Sequence, residues 1–182
     1  SRRNYSGCHS EEQFFATKNL TFRKERFLAP LEMTVIGTDS LVYLGRNLMS
    51  EPTRILIVED SATDADLAMR EISRTITGSL FEQVETREDY LAALASFHPD
   101  LIVSDYHMPH FDGMTALKLA LEHVPDTPVI IWTGSVNEDI AVACMKAGAS
   151  NYVLKDNIVR LGPAMVHALE EKQVRLERQR AE

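Results

Sequence analysis

Cysteine is nearly absent from this 182-residue chain, which has only Cys8 and Cys144. That excludes a disulfide framework and a cysteine-rich zinc module. Long apolar runs are missing too. Those present, such as Leu101–Val103 and Pro128–Trp132, fall far short of the roughly 18 residues a membrane span needs. No signal-peptide pattern opens the sequence, so the expectation is a soluble cytoplasmic protein without membrane contact. Excess positive charge is also lacking: 19 Lys and Arg stand against 27 Asp and Glu, a net charge of −8. This argues against a nucleic-acid-binding surface over the whole chain. What remains is ordinary globular material, 45% hydrophobic and 25% charged. The length suits one domain plus a tail, with a core that can be buried without covalent help.

The charge is unevenly placed. Residues 1–52 hold seven Lys and Arg against six Asp and Glu, a balance of +1, whereas residues 53–182 hold twelve against twenty-one, a balance of −9. The acidic part alternates between strand-like and helix-like text. Ile55–Val58 is a β-branched apolar run suited to a strand buried on both faces. Ser61 offers a helix N-cap, with Asp64 and Asp66 in the first turn where the helix dipole favours acids. Leu67 and Ile72 continue at helical spacing until Thr77-Gly78. A weaker strand is expected near Phe81–Glu85, then a helix from about Glu88 with Leu91, Leu94 and Ala95 inward. Leu101–Val103 is a second buried strand after the turn His98-Pro99-Asp100. Thr115–His123 reads as a helix with Leu117, Ala120 and Leu121 inward. Pro128–Trp132 is a strand, and Glu138–Ala147 is a helix stopped by Gly148, with Cys144 and Met145 as packing residues. Asn151–Leu154 is the last strand, and a last helix runs from about Val159. Five strands in strict alternation with five helices imply βαβ units and a doubly wound parallel sheet.

In such sheets chemistry gathers at the carboxyl ends of the strands. Glu59-Asp60, Ser104-Asp105, Thr133-Gly134 and Lys155-Asp156 stand at four of those ends. Three carboxylates brought together repel by about 4 kcal/mol per pair at 4 Å and an effective dielectric near 20. A hard cation such as Mg²⁺ relieves this and keeps positions open for phosphate oxygens. A Thr hydroxyl and a Lys ammonium suit the remaining oxygens of a phosphoryl group. One carboxylate would then be the nucleophile that becomes an acyl phosphate.

The stretch from about 53 to 171 resembles the receiver domain of two-component response regulators. ILIVED (55–60) looks like that family's acidic pair, and SDYHMPHFDGM (104–114) like its phospho-acceptor segment. IIWTG (130–134) and NYVLK (151–155) match its Thr and Lys motifs. Separations of 45, 28 and 22 residues between Asp60, Asp105, Thr133 and Lys155 fit it. The resemblance implies a flavodoxin-like five-stranded parallel sheet of order 2-1-3-4-5. It implies Asp105 as phospho-acceptor, with Glu59, Asp60, Asp105 and the main-chain carbonyl of His107 as Mg²⁺ ligands. Thr133 and Lys155 would bind the phosphoryl group, and Thr133 with Tyr152 would form the switch. The His107 side chain is expected to be an exposed loop group, and Gly134 to leave the site open.

The chain departs from the family in having Asp156, not Pro, after Lys155, and Glu-Asp rather than Asp-Asp as the acidic pair. The expected function is a phosphorylation-dependent signalling module, not an enzyme acting on an external substrate. A sensor histidine kinase or phosphotransfer protein would be the donor. The output would be altered partner binding or a homodimer through the fourth and fifth helices, with an output domain missing here and no direct nucleic-acid contact. Two alternatives stand: a Mg²⁺-dependent phosphohydrolase with an aspartyl-phosphate intermediate, and a phosphate-independent docking module. His107 occupies the position where the hydrolase would need a second Asp. Residues 172–182 are expected to extend the last helix. Met49–Pro52 looks like the start of a receiver, so most of 1–52 is read as vector-derived, upstream or poorly ordered sequence. A small docking segment using Phe22 or Phe27 is the competing reading.

Overall fold

The structure is a computed structural model, and it describes residues 51–135 and 137–181. The expectations placed on the N-terminal stretch, including Phe22, Phe27 and the start at Met49, lie outside the described residues, apart from Glu51 and Pro52.

The five strands are β1 (Arg54–Val58), β2 (Leu80–Val84), β3 (Leu101–Ser104), β4 (Val129–Thr133) and β5 (Asn151–Leu154). They pair in parallel in the order β2-β1-β3-β4-β5. The helices are α1 (Ala62–Thr75), α2 (Arg87–Ser96), α3 (Gly113–His123), α4 (Glu138–Ala147) and α5 (Leu161–Ala181). A 3-10 segment, Lys155–Arg160, lies between β5 and α5.

Side chains alternate across a strand, and both faces of this sheet are covered. Ile55 and Ile57 of β1 share a core with Ala65, Ala68 and Ile72 of α1 and with Leu161, Met165 and Ala168 of α5. Leu56 and Val58 join Tyr90 and Leu94 of α2, Leu117 and Ala120 of α3, and Cys144 of α4. Helices α1 and α5 therefore cover one face, and α2, α3 and α4 the other.

Side-chain caps set where four helices begin. Ser61 Oγ accepts the Asp64 N–H at 3.3 Å, Thr86 Oγ1 that of Asp89 at 3.1 Å, Asp112 Oδ1 that of Thr115 at 2.8 Å, and Asn137 Oδ1 that of Ile140 at 3.2 Å. The Asp112 cap starts α3 two residues before the expected Thr115. Gly148, at φ +108°, ends α4 in the left-handed region, where a side chain would be strained.

The buried stripes differ from the expected ones at four helical positions. Leu67 is 48% exposed because α1 meets the sheet through Ala65, Ala68 and Ile72. Ala93, not Ala95, is buried on α2. Leu121 lies on the rim of α3, over Gly148, while Leu119 is buried. Met145 is exposed, and Cys144 alone packs inward from that pair. In each case a residue one or two positions away takes the buried place, while Ile72, Leu94, Leu117 and Ala120 are buried as expected. The expected last helix starts later, at Leu161, because the 3-10 segment intervenes.

Candidate functional site

The strand order reverses between β1 and β3, the topological switch point of the sheet. Register aligns Val58 with Ser104, so Glu59 and Asp105 leave the sheet side by side. The backbone ladder continues past the strands: Glu59 N–H donates to the Val84 carbonyl at 3.0 Å and Asp105 N–H to the Val58 carbonyl at 2.9 Å. These bonds fix both carboxylates at the rim. Glu59 and Asp105 are buried, while Asp60 beside them is exposed, and carboxylate oxygens of all three lie within 4.8 Å of one another.

Lys155 reaches this acidic group from the end of β5. Its Nζ donates to Glu59 Oε2 at 2.7 Å, to Asp64 Oδ2 at 2.7 Å and to Asp105 Oδ2 at 2.8 Å. The same ammonium sits 5.0 Å from the centroid of the Trp132 ring. Burial lowers the affinity of Lys155 for its proton. The hydrogen bonds to Asp105, Asp64 and Glu59 outweigh that, so its pKa is held above the ordinary lysine range. Glu59 is shifted up from the ordinary 4.5, because its burial exceeds the opposing pull of Lys155. Lys155 thus rests directly upon the carboxylates, where an ammonium offsets the repulsion of clustered acids.

Asp105 Oδ1 accepts the backbone N–H of His107 at 3.1 Å. Both oxygens of Asp105 thus face a donor. The segment after it folds back tightly, with the Gly113 N–H bonded to the Tyr106 carbonyl at 3.1 Å. A Cβ at Gly113 would lie 2.6 Å from the Asp105 carbonyl oxygen, which requires glycine there.

Thr133 is fully buried at the end of β4. It is linked to the acidic group through His107, whose Nδ1 lies 3.4 Å from both Thr133 Oγ1 and Ser135 Oγ. This corrects the expectation of an uninvolved loop imidazole. The ring is solvent-exposed, but the turn that gives its N–H to Asp105 also aims its Nδ1 at Thr133. Tyr152 is half-buried, and its hydroxyl donates to the Ser135 carbonyl at 3.0 Å. Ser135 therefore joins the two expected switch residues. A Cβ at Gly134 would find only the Lys155 stem, at 3.9 Å, so this position is open, as the sequence suggested.

Sequence reasoning missed the roles of Asp64 and Ser135. Asp64 was visible as a first-turn acid five residues after Glu59, but nothing local signals that a lysine 91 residues further on meets it.

The model of the family described as "Response regulator receiver domain" matches residues 55–165. The chain belongs to this family. Its sequence is similar to the DNA-binding transcriptional regulator NtrC of Proteus hauseri, 34% identical over 124 residues, which cover 65% of this chain and 26% of that one. It is similar also to the regulatory protein AtoC of Escherichia coli, 35% identical over 109 residues, covering 59% and 23%. The chain thus spans about a quarter of the length of these curated relatives. Among solved structures, the signal receiver domain of a putative Luxo repressor protein from Vibrio parahaemolyticus superposes with a TM-score of 0.62. It is 27% identical, and the match covers 68% of this chain and 95% of that one. A CheY-like receiver domain from Methanospirillum hungatei gives 0.61 at 26% identity, covering 68% and 98%. The receiver fold and its sheet order are those the resemblance implied. Among the described residues, no helix is long and apolar enough to cross a membrane.

Proposed function

We propose that this receiver domain, residues 53–171, accepts a phosphoryl group on Asp105 from a sensor histidine kinase or phosphotransfer protein. The observation that carries the reading is the setting of Asp105. It is a nearly buried carboxylate at the switch point, held by one cationic and one backbone donor, with two further acids within ligand distance. An Asp105 oxygen attacks phosphorus, the new O–P bond forms as the donor's P–N bond breaks, and the imidazole leaves with the electron pair.

The donor set fits Mg²⁺, a hard cation that takes carboxylate oxygens. Glu59, Asp60 and Asp105 would hold it, with the His107 carbonyl as the family pattern adds. When bound, it supplies positive charge to the oxygens of the transferring group. Lys155 turns from Asp105 to a phosphoryl oxygen. Thr133 exchanges its present neighbours, His107 and Ser135, for another phosphoryl oxygen, and Tyr152 registers the change through the Ser135 carbonyl. The readout is the face of α4 and α5, where partner binding or dimerisation changes. Driving such a switch from mostly off to mostly on takes about 5.5 kcal/mol of differential stabilisation. The chain spans about a quarter of the length of the curated relatives, and we assign the output to a further segment or a separate partner.

Incubation with acetyl phosphate and Mg²⁺, followed by intact-protein mass spectrometry, tests the proposal. One phosphoryl group is expected on the native protein, and none without Mg²⁺ or in Asp105→Asn. No addition, with no binding of beryllofluoride either, would leave a phosphate-independent docking module.

A further inference from the structure

Asp64 is the carboxylate on Lys155 that stands outside the metal-ligating group. A lysine ammonium has three N–H donors, and Glu59, Asp64 and Asp105, at 2.7, 2.7 and 2.8 Å, use all three. Glu59 and Asp105 belong, with Asp60, to the group whose oxygens lie within 4.8 Å of one another; Asp64 does not. Lys155 therefore holds one oxygen on each of two carboxylates that would ligate a cation, and Asp64 is its one carboxylate partner outside that group. Exposure differs in the same sense. The side chain of Asp64 is 37% exposed, against 1% for Glu59 and 9% for Asp105. An ammonium held at Asp64 keeps more of its hydration and loses less by desolvation. The Trp132 ring, 5.0 Å from Nζ, offers a second hold that leaves the carboxylates free.

We infer that Asp64 is a positioning residue: it berths the Lys155 ammonium at the rim, so that Glu59 and Asp105 are released to a divalent cation. It does so through Lys155 alone. The inference rests on the cation reading given above. The cap supports it, because Ser61 Oγ accepts the Asp64 N–H at 3.3 Å and so fixes the first turn of α1, from which the carboxylate reaches.

Mg²⁺ titrations without a phosphoryl donor, followed by backbone amide shifts in NMR, test this on four proteins. These are the native chain, Asp64→Asn, Lys155→Met and the double variant. Asp64→Asn is expected to weaken Mg²⁺ binding about tenfold when Lys155 is present, and less than about twofold in Lys155→Met, the signature of coupled neighbours. A fifth protein, Asp64→Glu, is expected to keep most of the native affinity. Equal weakening in both backgrounds would show Asp64 acting as plain negative charge near the cation, and would overturn the inference. Unchanged binding in Asp64→Asn would do the same. A native chain that binds no Mg²⁺ would instead bring down the cation reading itself. The amide spectra report whether each variant is folded, and Asp64→Ala replaces Asn if that variant is not.

Discussion

Two lysines at opposite ends of the sheet are almost equally buried and have opposite electrostatic fates. Lys155, at the carboxyl end, has a side chain 16% exposed and three carboxylates within 2.8 Å. Lys172, on α5 near the amino end, has a side chain 17% exposed; its Nζ donates to the Asp100 carbonyl at 3.0 Å and stands 3.8 Å from Asp100 Oδ1. The pKa of Lys155 is raised and that of Lys172 is lowered, the latter by burial that Asp100 and Asp126 offset only in part. Burial alone thus does not decide whether a cation is held; the number and closeness of its anions do. At the carboxyl end charges converge for chemistry. At the amino end they fasten the tail of α5, where Arg175 also donates to the Asp126 carbonyl at 3.2 Å.

The largest test of this contrast is removal of each cation. Lys155→Met leaves the buried Glu59 and Asp105 without their ammonium, and is expected to cost about 3–5 kcal/mol of stability in urea denaturation at neutral pH. Lys172→Met is expected to change stability by less than about 1 kcal/mol, because Asp100 keeps the Arg54 backbone N–H at 2.9 Å and its guanidinium at 3.8 Å. Equal losses would break the comparison.

Alkaline pH sharpens it. The raised pKa of Lys155 means that its contribution is fully present below the ordinary 10.5 and is lost as pH rises through the higher folded value. Lys172 has the reverse sign: its charged form penalises the fold at neutral pH, and the penalty is relieved as pH climbs through the lowered folded value toward 10.5. The stability advantage of the native chain over Lys155→Met should therefore shrink above about pH 10.5. Its difference from Lys172→Met should move in favour of the native chain just below that pH. Denaturation midpoints measured across this range decide it.

The smallest effect is spectroscopic. Trp132 is the sole tryptophan of the chain, and its ring lies beneath Lys155. Its emission is expected to shift in Lys155→Met and to stay put in Lys172→Met. A shift in both would mean that the tail of α5 communicates with the site.

Much of this molecule was readable from its residues, for reasons that are local. The short apolar runs Ile55–Val58, Leu101–Val103 and Pro128–Trp132, each bounded by polar or turn residues, suit strands covered on both faces, and the fold has a strand at each. Ser61 and Gly148 act as the cap and the stop that their chemistry suggests. Glu59, Asp60 and Asp105 were legible as a group because they stand within two residues of the ends of buried neighbouring strands, so sheet register brings them together. Helix faces were harder. At Leu67, Ala95, Leu121 and Met145 the structure differs because apolarity does not fix how wide the buried stripe of a helix is; the sheet decides which edge residues it accepts.

The sequence by itself determined the strand and helix order, the acid at each decisive strand end and the family, since these depend on residue type and spacing along the chain. Only the tertiary structure decided what those groups do to one another. Lys155 lies 96 residues from Glu59 and 50 from Asp105, and its place upon three carboxylates exists only once β5 has packed beside β4 and α1 has turned Asp64 inward. His107 and Ser135 likewise acquire their link to Thr133 from the close approach of two loops. Coulomb attraction and hydrogen bonding act over a few ångströms, and only folding brings residues so distant in sequence within that reach.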